Sequence, residues 1–450
     1  MLSLRQLTSG KYGHMLNRRQ SISPDRNWIV YDTRNEDSQI ARTNAIELVS
    51  VVSGEMIRLY ETAHPTIYGP GVGAVSFHPN LNQIVFIHGL ECCSDAFPYS
   101  AARRFGAILE VKPNSPDTLN WTHAEPRVVQ QDHPSIDSLG VLSGGTHAHS
   151  WNESNWISFT YNDERLESQS QSDPTIRDAR TVGFMVPALN PKSDYEPNTS
   201  FGNVDTQNFN GAYYAFLAAT IHASTSPGSD EIDQAVEECW VGQSGYRKSD
   251  GSQQSIALAF QGKVTSESGQ ELHEVFVCDL PDQSSLLLAR DGDDVRNSIR
   301  RSNRLSPVPG CSQRRLTYTA ERTYPGIQGP RNWLVSSPAG DSLFFPMKDE
   351  RAVVQLFRVS TTGGNLQQIS ELPKSIEGQI SLNQDGTQCA FLCDQRIVCV
   401  DLATGSSHFV TERNHVELVG SVQYLSHDRL ICNAYVGTGN ERYLHIFIAE

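Results

Sequence analysis

A degenerate turn-and-strand unit recurs from one end of this chain to the other, and no other feature restricts its fold as strongly. The clearest copy runs Ser23-Pro24-Asp25-Arg26-Asn27-Trp28-Ile29-Val30-Tyr31. Others begin at His78-Pro79-Asn80, Asn155-Trp156-Ile157, Ser337-Pro338-Ala339-Gly340, Asn383-Gln384-Asp385-Gly386 and Ser426-His427-Asp428. In each, a polar tight turn leads into an apolar, β-rich run. Proline presets the turn backbone, and Asp-Gly supplies residues that tolerate left-handed geometry. The β-branched and aromatic residues that follow suit a strand buried between packed sheets.

The spacing points to radial repetition. Copies one and two lie about 55 residues apart and the last two about 43, close to the period of four-stranded propeller blades. A second strand follows each turn, as in Ile397-Val398-Cys399-Val400-Asp401-Leu402 before Gly405. Short outer strands follow at Gln367-Gln368-Ile369-Ser370 and His408-Phe409-Val410-Thr411. Leu4-Arg5-Gln6-Leu7-Thr8 reads as an outer strand with no blade before it, while residues 420–450 supply three strands and no outer one. Pairing the two ends closes the ring and removes its open edges. The expected architecture is an all-β propeller of seven four-stranded blades, with six as the alternative. The expected boundaries are about 14–62, 71–130, 144–200, 208–317, 330–370, 378–411, and 420–450 with 1–8. One domain over 1–450 is expected, with long insertions at about 88–120, 163–180, 224–254 and 290–313. Residues 230–240 read as a short acidic helix capped by Ser229.

Particular segments resemble known propellers. The Ser-Pro-Asp-x-x-Trp-Ile turn, the Asp401-Leu402-Ala403-Thr404-Gly405 strand end and the Arg-Gln-Leu-Thr outer strand resemble the WD40-like repeats of the TolB group. Tyr324-Pro325-Gly326-Ile327-Gln328-Gly329-Pro330-Arg331-Asn332-Trp333-Leu334 and Gly144-Gly145-Thr146-His147-Ala148-His149 are similar to the bacterial YidR-like family. That resemblance spans nearly the whole chain and implies a fold without a settled activity.

Composition narrows the partners. The net charge of −15 disfavours nucleic acid and anionic membranes, which basic patches recognise. No stretch approaches the roughly 20 apolar residues of a membrane span. The N-terminus carries no apolar signal region, so a cytoplasmic protein is expected, or a periplasmic one already processed. The nine cysteines lack framework spacing and are expected to be mostly reduced. The nucleophile elbow, the phosphate loop and the paired Cys-x-x-Cys are absent from the sequence.

Histidines supply the candidate chemistry. His147 and His149 sit two apart on the expected inner strand of the third blade, so both imidazoles are expected to face the central channel. They are the candidate ligands of one divalent metal, Mn, Zn or Fe. His14, His64, His88, His133 and His415 fall near the inter-blade connections of the same face. His88, Arg19, Arg322, Tyr324 and Arg331 are the candidate ligand-binding residues, with Gln379 nearby. Arginine grips a carboxylate with two parallel bonds, and an aromatic ring offers a flat surface to a sugar. Two functions remain open: a TolB-like propeller binding a small ligand or protein at its central face, and a metal-dependent enzyme acting on an acidic carbohydrate. Oligogalacturonate lyases, propellers with a His-rich metal site near the axis, are what the His147-Ala148-His149 pair resembles in type.

Overall fold

A computed structural model describes residues 1–91, 93–111, 128–129, 142, 144–173, 176, 180–187, 213–286, 307–328, 333–413 and 415–450. It is a seven-bladed β-propeller. The repeated turn works through one side chain. Ser23 Oγ accepts from the Trp28 backbone N–H at 3.0 Å, Ser337 Oγ from Ser342 at 3.1 Å, and Asn383 Oδ1 from Gln388 at 2.9 Å. In each pair the turn's first residue receives the N–H five residues on, where the second strand begins. This local bond explains the Ser or Asn that opens these three copies.

Blades four to seven show the full four-stranded order. Blade four runs Gln234–Trp240, Ala257–Thr265, Glu271–Asp279, Ser312–Arg315 from axis to rim. Blade five begins at Val335–Ser336 and blade six at Ser381–Leu382. Blade one holds Trp28–Asp32, Ala45–Ser50 and Met56–Glu61. Residues 15–22 form its inner edge through bridges at Met15–Asp32 and Ile22–Ile29. Blade two starts at Val72–Phe77 and blade three at Gly144–Trp151.

The ring closes as its ends demand. Leu4–Gln6 pairs antiparallel with Tyr443–Ala449 in the sheet of Glu417–Tyr424 and Leu430–Val436. Among the described residues, seven apolar clusters fill the seams, one between each pair of neighbouring blades. One per seam means no seam depends on polar contacts alone, and the ring is held by burial throughout. Among the described residues, no helix is long and apolar enough to cross a membrane.

Two expectations need correction. Tyr213–Leu217 belongs to blade three, where it pairs with Thr181–Pro187, and not to a blade beginning at 208. Residues 234–240 are the inner strand of blade four rather than part of a helix. Its clustered carboxylates suggested a solvated helical face, but Ala235 and Cys239 are buried in the two seams that flank the strand. Tertiary burial overrides a local acidic signal of this kind.

Candidate functional site at the axis

The inner strands bend where they pass the axis. In blade two, Gly73 opposes Ile87 and Ser76 opposes Val85, so Ala74 and Val75 share one partner position. Blade three repeats this at Ala148 and His149, and blade four at Glu237 and Glu238. Blade seven has a longer irregularity between Val419 and Gln423. Each bulge places one residue in the left-handed region: Ala74 at φ 52°, Ala148 at 63°, Glu237 at 59° and Gly420 at 77°. A bulge frees backbone groups and re-aims side chains.

The released groups are tied to blade one. Ala74 N–H donates to Asp32 Oδ2 at 2.9 Å. Arg18 donates to the Ala148 carbonyl at 2.9 Å, and Arg19 to the Glu238 carbonyl at 2.7 Å. Asp32 also takes a two-pronged grip from Arg34 at 2.7 and 2.8 Å.

The bends open an axial cavity of about 530 Å³ on the face of the inter-blade connections. One inner residue from every blade borders it: Arg18, Ala74, Ala148, Glu237, Trp333, Gln379 and Gly420. Arg104, Arg180, His147 and the ion pair of Arg34 with Asp37 are among its further polar lining. A second cavity of about 440 Å³ lies toward the turns, and Arg18, Trp333 and Gln379 border both. These three side chains form the constriction between the cavities. Arg18 lies over the Trp333 ring, a cation–π contact.

Electrostatics divide the two adjacent glutamates. Glu238 is fully buried and accepts from Thr160 Oγ1 at 2.7 Å, with Arg18 3.6 Å away. Glu237 borders the cavity, and its Oε2 has no hydrogen-bond partner. Burial, opposed by Arg18 and reinforced by the Glu238 charge, raises the Glu237 carboxyl to about 7. Burial also depresses the Arg104 guanidinium, whose Nε has no hydrogen-bond partner either. Trp333 Nε1 and Gln379 Oε1 are in the same condition.

His147 and His149 do not share a face. The bulge lies between them. His147 opposes Thr160 and donates to Asn162 Oδ1 at 3.0 Å, toward blade four. His149 turns to the other face, where its Nε2 is 3.0 Å from Thr146 Oγ1. There it abuts Gly106 of blade two, where any Cβ would stand 2.9 Å from that nitrogen. The period-two rule fails here because one extra residue inverts the alternation. The imidazoles therefore do not fit a single shared metal. Burial holds both neutral, His149 down to about 3 and His147 well below its usual value. Among the described residues, no group of three or more His, Cys, Asp or Glu is placed to hold a metal ion.

The other expected residues scatter. His88 is buried in blade two, stacked on Phe105, with Nε2 2.7 Å from the Tyr60 hydroxyl. His14 is buried against His445 and the Leu444 carbonyl. His64 and His415 are exposed. Arg322 donates to the Lys348 carbonyl, and Tyr324 lies near Lys348. Neither borders the axial cavity, whereas Arg19 borders the turn-side one. Arg331 and His133 lie outside the described residues. Arg18, Arg104, Arg180 and Glu237 were not anticipated. The charged pair Glu237-Glu238 within Ala235-Val236 and Cys239-Trp240 was the available signal, since consecutive carboxylates in an apolar strand need a wet or paired edge.

Comparison with known proteins agrees with this architecture. Residues 71–196 match a family described as a protein of unknown function, DUF3748. The fold is shared with an oligogalacturonate lyase solved in complex with manganese, at a TM-score of 0.51, 10% identity, and coverage of 100% of this chain and 93% of that one. A putative TolB from Agrobacterium tumefaciens aligns over 90% of this chain and 97% of that one at 10% identity and a TM-score of 0.37. The uncharacterized protein YidR of Escherichia coli K12 is 30% identical over 420 residues, which span 92% of this chain and 90% of that protein. With that identity over nearly the whole length, the chain belongs to the YidR family of β-propellers.

Proposed function

We propose that this propeller binds a small acidic sugar in its axial cavity. One observation carries the reading. Four polar side chains from four different blades border one cavity, and each keeps one buried polar atom without a hydrogen-bond partner: Arg104 Nε, Glu237 Oε2, Trp333 Nε1 and Gln379 Oε1. Buried polar atoms are normally satisfied, so a cluster of such groups is a standing demand for a partner. The set holds both donors and acceptors, which matches a polyhydroxylated molecule. Arg104 and Arg180 add positive charge on one side, although the whole chain is acidic. Guanidinium groups select carboxylates. A volume near 530 Å³ suits a monosaccharide or disaccharide.

Calorimetric titration with D-galacturonate and D-glucuronate, set against D-galactose, tests this. The acids are expected to bind and the neutral sugar not to. Arg104→Gln with Arg180→Gln is expected to weaken the acids at least tenfold. Equal affinity for galactose, or no effect of the double substitution, would overturn the reading.

A lyase acting on such a sugar is the second reading, favoured by the fold shared with the manganese-bound oligogalacturonate lyase. It asks for a metal centre, and the opposite orientations of His147 and His149 give that centre no support. Binding is therefore the preferred reading.

A further inference from the structure

Glu237 stands where a glutamate is conformationally unfavourable. The comparable bulges carry Ala74, Ala148 and Gly420. A left-handed backbone is easiest for glycine and is strained for a residue that carries a Cβ. Such strain persists where surrounding structure imposes it, and it gathers at binding sites. Here the bulge separates two consecutive carboxylates. Glu238 goes into the seam, onto Thr160 and Arg18. Glu237 remains at the cavity wall with one oxygen unpaired.

We propose that Glu237 joins the ligand as a neutral carboxylic acid, so that the cavity takes up one proton together with the carboxylate of an acidic sugar. This rests on the acidic-sugar reading above. A neutral carboxyl donates its O–H to a ligand oxygen, whereas an ionised one can only accept and repels the ligand's charge. The proton comes from solvent on binding and returns on release, so no co-reactant is needed.

The charges around Glu237 leave it near its balance point. Arg18 and Arg19 from blade one and Arg180 ahead of the third strand of blade three favour its ionised form. Glu238 on its own strand and burial favour the neutral form. Arg104 borders the same cavity, as does His147, which burial keeps uncharged. A carboxyl raised to about 7 is available in either state near neutrality. An added carboxylate tips it toward the neutral one.

The test is calorimetry of D-galacturonate and D-glucuronate at pH 6 and pH 8, in buffers of low and high ionisation enthalpy. Wild-type protein is expected to bind about tenfold more weakly at pH 8, taking up close to one proton per ligand there. Glu237→Gln, which keeps a donor and loses the proton, is expected to bind alike at both values without proton uptake. Glu237→Ala is expected to bind weakly at both. Equal wild-type affinity at the two values without proton uptake, or an unaltered pH dependence in Glu237→Gln, overturns this proposal and leaves the acidic-sugar reading standing. Binding of neither acid to wild type or Glu237→Gln at either pH overturns both.

Discussion

The seam between blades six and seven and the seam between blades three and four hold the same ring by different means. Between six and seven, Ala390, Leu392 and Ile397 meet Leu418, Val422 and Phe447. At the axial end, Ser381 Oγ donates to the Val422 carbonyl at 2.6 Å. Between three and four an apolar body remains, with Trp156, Phe184, Leu258 and Phe260. Its axial end is ionic: Glu238 sits among Ser158, Thr160 and Arg18. The first seam gains its stability mainly from burial and, among the described residues, holds no buried charge at its axial end. The second keeps a buried charge, which burial penalises, and beside it lies the cavity. The difference indicates that the propeller's apolar seams supply closure, and that between blades three and four the buried charge sits at the axial end, where the inner strand bulges.

Removing residues 1–9 tests closure most severely. The deletion takes away the pairing with Phe447–Ala449, the buried Leu7 and the Thr8 hydroxyl that accepts from Ile446 N–H at 2.9 Å. A loss of about 5 kcal/mol or more is expected, comparable to the whole margin of many domains. Thermal melting should show one earlier or abolished transition. A truncated chain that melts like the intact one would show that the last seam is dispensable.

Glu238→Ala and Leu392→Ala separate the two kinds of seam. The first leaves Arg18 without its buried counter-charge and is expected to cost about 3–5 kcal/mol. The second opens a cavity in the apolar seam and is expected to cost about 2–5 kcal/mol. Only Glu238→Ala should also weaken uronate binding, because Arg18 borders the cavity. Equal losses of affinity by titration would erase the distinction.

Titration gives smaller effects of opposite sign. Burial lowers His14 and His88 to about 4 and His149 to about 3. Unfolded histidine titrates near 6.5. Below that value the unfolded chain binds more protons, so this contribution is complete above about pH 6.5 and is lost as pH falls toward 4. His88→Phe, which keeps the stacking on Phe105, should flatten that acid limb. Glu237 is raised to about 7 against an unfolded value near 4.3. Its penalty is absent below that lower value and grows until about pH 7. Glu237→Gln should therefore match wild type near pH 4 and gain on it by pH 8. Melting temperatures across pH 4 to 8 check both, and a variant curve parallel to wild type in either case counts against the assignment.

The blade count and the closing strand were legible from the chain because they rest on local chemistry. Ser23, Ser337 and Asn383 cap their own strands within five residues, so the repeat announces itself in sequence. The orphan strand Leu4–Gln6 was likewise visible as an edge in need of a partner. The site was not legible in the same way. An inner strand passing a channel can bulge, and one extra residue reverses every side chain beyond it. That is why His147 and His149 part company while Glu237 and Glu238 take separate roles. The residue pattern sets which strands form and how they close. Only the assembled ring decides which side chains meet at its axis, because Arg18, Arg104, Arg180, Glu237 and Trp333 become neighbours through seven packed seams and through no feature of local sequence.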